Sequence, residues 1–263
     1  MMAALLVPFP LSSWLGLAAV ALVTLRRGSV EGLIAGLAVL ATLLLTISHP
    51  LITASNIAEL SILLLCCAVL RSSVRLDWAL LVLVLLVAAF VLLVRYSMMT
   101  WLLSYEKVLL DAMKTFHLKM DRPVDLVEGW ALQSLAIGMS VKIVIALLLG
   151  RWWQSVLYFP GAFTEAFMQL KLSPNVASVL LLSAMGVHWG EGRYAALSVV
   201  FLLPLVVISV ALVHYWIRSK RGHPFWLMGF YLLLPMGYLF AALLAWVDSF
   251  VKWREREKIS TDL

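Results

Sequence analysis

Residues 50–70 read PLITASNIAELSILLLCCAVL, an apolar run of membrane-spanning length with one charged residue, Glu59, near its middle. Residues 130–150 read WALQSLAIGMSVKIVIALLLG, and here Lys142 is the one charged residue. A helix of about 20 mostly apolar residues covers the roughly 30 Å hydrocarbon core of a bilayer. Both runs are therefore predicted to be transmembrane helices, each with a charge near the middle of the membrane.

The composition of the whole chain agrees with that class, because 63% of the residues are apolar and 13% are charged, whereas soluble domains carry about 25% charged residues. The candidate spans are 4–25, 30–47, 50–70, 78–94, 130–150, 174–187, 194–217 and 225–247. These runs are too uniformly apolar for the alternating pattern of an outer-membrane barrel. The sequence predicts an all-α, polytopic transmembrane helix bundle of about eight spans, placed in an inner (cytoplasmic) membrane. Residues 1–263 are expected to form a single integral membrane domain.

Two stretches are predicted to lie on the membrane surface. In residues 98–118, apolar and polar side chains recur on different faces at helical spacing. This is the pattern of an interfacial amphipathic helix, although a plain connector also fits. Residues 151–172 follow the fifth span, turn at Pro160-Gly161 and continue as a short helix. They are interpreted as a second interfacial segment.

The basic residues leave the orientation open. With eight spans they divide almost equally between the two sides, so the positive-inside rule gives a near tie. Arg26-Arg27 and the basic cluster at 218–221 favour the side reached after odd-numbered spans as cytoplasmic. The basic tail after Val251, which includes Arg254, is assigned to the opposite side and argues against that orientation. One miscounted span would remove the conflict.

Glu59 and Lys142 form the first candidate site. A charge near the bilayer midplane costs about 2.5–3.5 kcal/mol even on the lenient insertion scale, so a direct ion pair between the two is the simplest hypothesis. Ser55 and Asn56 precede Glu59 by four and three positions, which places them on the same helix face. Two roles stay open for this group. It is a structural pair that fixes helix register, or a path for a solute or proton with Glu59 as the protonatable element.

The fifth span also carries small residues. Ser134 and Gly138 precede Lys142 at four-residue intervals. Such a stripe predicts that another helix approaches this face of the span closely.

A second candidate site follows the fifth span. Its members are Arg151, Trp152, Trp153, Gln154, Tyr158 and Glu165. As a structural device, this segment anchors the chain at headgroup depth, where tryptophan rings are enriched. As a functional device, it is a lip that binds a planar or anionic ligand, or docks the helix of a partner. The sequence alone leaves both readings open.

Residues 150–172 read GRWWQSVLYFPGAFTEAFMQLKL. This stretch resembles the signature of the YybS-like family of uncharacterised bacterial multi-pass membrane proteins. That family is distantly similar to the substrate-binding S components of energy-coupling-factor vitamin transporters. The resemblance implies a solute-binding module that lacks its own energy source and works with a separate ATPase. S components typically have six spans, so the additional spans predicted here depart from their architecture.

The motifs of common enzymes are not found in the sequence. It contains no Walker-type phosphate loop, no paired-histidine zinc helix and no nucleophile elbow. No enzymatic activity, cofactor, metal site or nucleic-acid partner is therefore predicted. The leading hypothesis is a small-solute binding or transport module in the lipid bilayer, energised by a separate ATPase. The alternative is a membrane scaffold or assembly factor that binds other membrane proteins, with a structural intramembrane charge pair.

Overall fold

The computed structural model describes residues 13–46, 50–97, 100, 107, 124–189, 194–220, 222–223, 225–251 and 253–254. Over these residues the chain forms helices and turns, without a strand. The helices are α1 (Ser13–Arg27), α2 (Ser29–Thr46), α3 (Pro50–Ser73), α4 (Leu76–Ser97), α5 (Val124–Tyr158), α6 (Ala162–Met168), α7 (Pro174–Trp189), α8 (Ala195–Ser219) and α9 (Phe225–Val251). The all-α prediction is confirmed.

Some predicted features lie outside the described residues. They are the first part of the first predicted span, residues 4–12, and most of the amphipathic segment 98–118, of which only Thr100 and Lys107 are described.

Five of the described helices are long and apolar enough to cross a membrane. These stretches are Thr53–Ser73, Leu76–Ser97, Leu132–Tyr158, Leu197–Ser219 and Phe225–Val251. A shorter apolar stretch, Ser29–Thr42, lies in α2, and α1 and α7 have 15 and 16 residues. Several apolar helices of this kind are compatible with a multi-pass membrane protein, whereas the number eight stays a prediction.

Helix α5 lies at the centre of the bundle, where it contacts α1, α3, α4 and α8. It continues without a break through Arg151 to Tyr158. The predicted surface segment 151–172 therefore begins as the last turns of α5, and its second half forms the short helix α6.

Helix α1 approaches α5 closely at Gly150. A Cβ atom there would lie 2.7 Å from the Cβ of Ala21 and 3.0 Å from the carbonyl oxygen of Ala18, both on α1. At Gly138, by contrast, an added Cβ would meet no atom of the described residues within 4 Å. Among these residues, the predicted close approach at the Gly138 stripe is therefore wrong at this glycine. The small residue that α1 requires is Gly150.

The ends of several helices meet at one end of the bundle, which we call the basic end. Arg71 Nη1 at the end of α3 donates a hydrogen bond to the carbonyl oxygen of Thr24 in α1 (3.2 Å). Gln154 Nε2 in α5 donates to the carbonyl oxygen of Leu25 (3.3 Å). The basic end carries Arg26, Arg27, Arg71, Arg75, Arg151, Lys171, Arg218 and Lys220. At the opposite end, the hydroxyl groups of Tyr96 and Tyr194 are hydrogen-bonded at 2.7 Å.

Helix α9 bends around the C-terminal end of α8. It contains Pro235 and a non-helical residue at Gly237. On one side of this kink, Tyr231 OH is hydrogen-bonded to His214 Nε2 of α8 (2.8 Å). On the other side, the rings of Trp253 and Trp216 lie 5.3 Å apart.

These contacts show how α9 is arranged relative to α8. In a straight helix Tyr231 and Trp253 are about 33 Å apart along the axis, yet both contact the same turn of α8. An antiparallel neighbour running the length of α8 could not make both contacts. The end of α9 is therefore at the basic end, and the expected assignment of Arg254 to the opposite side is wrong.

Gly138 and Gly150 of α5 allow a matched test of the packing. We expect Gly150→Ala to lower the free energy of unfolding by about 1–3 kcal/mol, because the added methyl group overpacks the contact with α1. Gly138→Ala should be neutral or slightly stabilising, because alanine has the higher helix propensity. Unfolding of both variants in mixed micelles by SDS titration measures the difference. Equal losses for the two variants would contradict the assignment of Gly150 to the tight contact.

Candidate functional site

Glu59 and Lys142 are in direct contact. Lys142 Nζ donates hydrogen bonds to Glu59 Oε1 (2.7 Å) and Oε2 (2.8 Å). The side chain of Glu59 is 8% exposed and that of Lys142 is 29% exposed. Measured along the helices at 1.5 Å per residue, Glu59 lies about 18 Å from Arg71 and Lys142 about 14 Å from Arg151. The pair is therefore about half a bilayer thickness from the basic end.

The geometry of the pair favours cohesion between α3 and α5. Both carboxylate oxygens of Glu59 accept from the one ammonium group, so the two charges satisfy each other directly. Ser55 is buried and Asn56 is half-buried on the same stretch of α3. Removing one partner of a buried pair leaves the other charge uncompensated, which costs about 3–5 kcal/mol.

Three residues of the predicted lip tie α5 to α1. Arg151 Nη1 donates to Gln154 Oε1, and Gln154 donates in turn to the carbonyl oxygen of Leu25. The guanidinium carbon of Arg26 lies 4.3 Å from the ring centroid of Tyr158, within cation–π distance. These contacts position the end of α5 whether or not a ligand binds.

The other lip residues point elsewhere. Trp152 is exposed, Trp153 packs partly buried against the core, and Glu165 is exposed on α6. The six lip residues do not together line either of the two cavities described below. Of these six, Arg151 lines one of the two cavities described below.

The turn between α5 and α6 is held by a serine and a glycine. Ser155 Oγ donates to the carbonyl oxygen of Phe159 (2.9 Å) and accepts from the backbone N–H of Phe163 (3.1 Å). Gly161 has a φ of +89°, a left-handed conformation that glycine adopts without steric strain. The turn directs α6 back across the basic end.

Two cavities adjoin at the basic end and share Arg75, Gln169 and Lys171. The larger has a volume of about 530 Å³, and its other lining residues are Met168, Leu172, Ser173, Pro174, Tyr215, Asp248, Ser249 and Arg254. The smaller has a volume of about 320 Å³, and its other lining residues are Leu70, Val74, Leu76, Asp77, Arg151, Phe163, Ala166, Phe167 and Leu170. Neither of these cavities is lined by Glu59 or Lys142.

One wall of the larger cavity is a buried network around Arg254. Arg254 Nη1 donates to the carbonyl oxygens of Met168 (2.7 Å) and Leu170 (2.8 Å), and Nη2 donates to Asp248 Oδ2 (2.6 Å). Arg254 and Asp248 are 9% and 4% exposed. The network joins the last turn of α9 to the end of α6.

The sequence reasoning missed this network and the cavities. In the sequence Arg254 belongs only to the basic tail that bears on orientation, and Arg75, Lys171 and Asp248 are not among the candidate site residues. One signal was available, since an aspartate directly following an apolar run and an arginine six positions later lie on one short segment. Nothing in the sequence pattern indicates that this segment returns to α6.

No protein-family model matches the chain, and no curated protein or solved structure is significantly similar to it. The fold therefore defines only a class. Over its described residues the chain is all-helical, and its apolar helices are compatible with a multi-pass membrane protein. The resemblance of residues 150–172 to the YybS-like family stays a prediction.

A double-mutant cycle measures the Glu59–Lys142 interaction. We expect Glu59→Gln and Lys142→Met each to lower the free energy of unfolding by about 3 kcal/mol, because each leaves a partner in a mostly apolar environment. The double variant should lose less than the sum, with a coupling of about 1–3 kcal/mol. SDS titration of the three variants provides the measurement. Additive losses would show that the contact contributes no coupling energy.

A conservative substitution tests the Arg254 network. Lysine keeps the charge but lacks the planar fork that bonds two carbonyl groups and a carboxylate together. We expect Arg254→Lys to raise the hydrogen-exchange rate of residues 162–172 and to cost about 1–3 kcal/mol of stability. Arg218→Lys, at an exposed arginine of the same end, is the control and should change neither quantity. Unchanged exchange in Arg254→Lys would exclude a role of this network in holding α6.

Proposed function

We propose that this chain is a multi-pass membrane protein that binds a small solute at its basic end and depends on a separate protein for energy. The observation that carries the proposal is the pair of adjoining cavities of about 530 and 320 Å³. Small-molecule sites usually have volumes of about 300–1,000 Å³ and combine apolar walls with a few convergent polar groups. The smaller cavity has that composition, whereas charged and polar side chains make up most of the lining of the larger one.

The elements that form the cavities support this role. Residues from the α3–α4 junction, the end of α5, α6, the connection to α7, and the ends of α8 and α9 all contribute. Sites between several helices of a bundle are common places for ligands. Much of the lining comes from residues 150–172, the stretch that resembles the YybS-like family. The similarity of that family to S components favours solute capture with a separate ATPase.

In this proposal the Glu59–Lys142 pair has a structural role. It joins α3 to α5 beneath the cavities, and its charges are already paired. A buried pair of this kind fixes how two helices meet without binding a solute. Of the two roles that the sequence leaves open for Glu59 and Lys142, the proposal thus adopts the structural one.

The orientation follows from the charges. Nearly all described basic residues at helix ends lie at the basic end, and Arg254 joins them because α9 bends back. By the positive-inside rule this end faces the cytoplasm of a bacterial inner membrane. The solute site is then on the cytoplasmic side, where a soluble ATPase subunit also binds.

Native mass spectrometry of the full chain, purified gently from its host, tests the proposal. We expect a stoichiometric small molecule on the wild-type protein. Ala166→Trp, which places a large ring into the smaller cavity, should reduce the bound fraction at least about tenfold, because the ring occupies the volume of the ligand. Ala162→Trp is the matched control, since Ala162 is exposed one turn earlier on α6 and lines neither cavity.

Two results would contradict solute binding. One is a wild-type protein that carries no small molecule but is stably associated with other membrane proteins, which is the result expected of a scaffold or assembly factor. The other is an equal effect of the two tryptophan variants, which would place any retained molecule outside the cavities.

A further inference from the structure

We infer that the solute is an amphipathic anion: a carboxylate or phosphate attached to an apolar, ring-containing body. This inference rests on the proposed function and names the chemistry that its site selects. It is carried by the charges that line the two cavities and by the division of their walls into a cationic centre and an apolar side.

The lining of the two cavities has a surplus of positive charge. The cations are Arg75, Arg151, Lys171 and Arg254, and the carboxylates are Asp77 and Asp248. Asp77 pairs with Arg75 (2.6 Å) and Asp248 pairs with Arg254 (2.6 Å). The described hydrogen bond of Arg151 goes to the neutral amide of Gln154. Arg151 therefore brings to the smaller cavity a positive charge whose described partner is neutral, and an anion there is favoured because it gains charge-assisted hydrogen bonds.

The cationic centre lies where the cavities meet. Arg75 and Lys171 line both cavities, so an anionic group between them reaches both side chains. Arg151 lines the smaller cavity from the end of α5. Arginine is suited to this role because its planar fork bonds two oxygens of a carboxylate or phosphate together.

The smaller cavity supplies the apolar side. Phe163 and Phe167 line it with rings that are stacked at 5.4 Å between centroids and 17° between planes. Leu70 and Leu170 complete that wall. Flat aromatic side chains and leucines favour a planar apolar group over a strongly hydrated one. The anion is therefore expected to carry a ring or a comparable apolar body.

The same chemistry occurs in two sources. One is a soluble metabolite with a carboxylate or phosphate and an aromatic ring. The other is an anionic phospholipid, whose phosphate and acyl chains reach the membrane surface. The experiment distinguishes the two sources by the lipid that surrounds the protein.

Binding of 1-naphthyl phosphate to the full chain tests the inference. The protein is placed in phosphatidylcholine nanodiscs, and equilibrium dialysis against empty nanodiscs measures bound probe. We expect 1-naphthyl phosphate to bind at least about tenfold more tightly than both 1-naphthylmethanol and inorganic phosphate. Only 1-naphthyl phosphate carries both a phosphate for the cationic centre and an aromatic ring for the apolar side. Arg151→Gln should weaken it about tenfold, whereas Arg218→Gln, an exposed arginine that lines neither cavity, should not.

Nanodiscs with phosphatidylglycerol identify the source. If this lipid displaces the probe from wild-type protein, the anion is a lipid headgroup, and if the probe still binds, it is a soluble metabolite. Equal binding of 1-naphthylmethanol, or equal losses in Arg151→Gln and Arg218→Gln, overturns the anion inference. A neutral host metabolite that is lost in Ala166→Trp overturns it too, while leaving the proposed solute-binding function intact.

Discussion

The ion pair between Glu59 and Lys142 determines how the central helix meets its neighbours. A charge at this depth is tolerated only when it is paired or hydrated, so α5 must turn the Lys142 face toward α3. Gly150 and Gln154, four residues apart on another face of α5, then meet Ala21 and Leu25, four residues apart on α1. A single orientation of α5 about its own axis therefore allows both the contact with α3 and the contact with α1.

The cavities at the basic end arise from the same arrangement. Because α5 continues past the bundle to Tyr158, the turn at Gly161 lies beyond the packed core, and α6 folds back over it. The end of α9 then holds α6 through Arg254. Short connections would have closed this space. The long α5 and the returning α9 leave it open, with cations from four separate segments around it.

Much of this architecture could be predicted from the sequence, and the reasons are local. A long apolar run predicts a transmembrane helix without knowledge of its neighbours. Glu59 and Lys142 are predicted to pair because an unpaired charge near the middle of the membrane is costly. The positions of Gly150 and Arg254 depend on contacts between distant segments. Gly138 and Gly150 look alike in the sequence, and only the approach of α1 distinguishes them. Likewise, Arg254 follows an apolar run that would place it across the membrane if α9 were straight.

The bend in α9 also explains why the basic residues of the sequence divide almost equally between the two sides when eight spans are assumed. That division holds only if each apolar run carries the chain to the other side of the membrane. Tyr231 and Trp253 contact the same turn of α8, so α9 brings Arg254 back to the side of Arg75 and Lys171. With Arg254 at the basic end, most of the described basic residues at helix ends lie on one side, which is the asymmetry that the positive-inside rule uses. Arg254, which the sequence pattern places on the opposite side, is thus part of the wall of the larger cavity at the basic end.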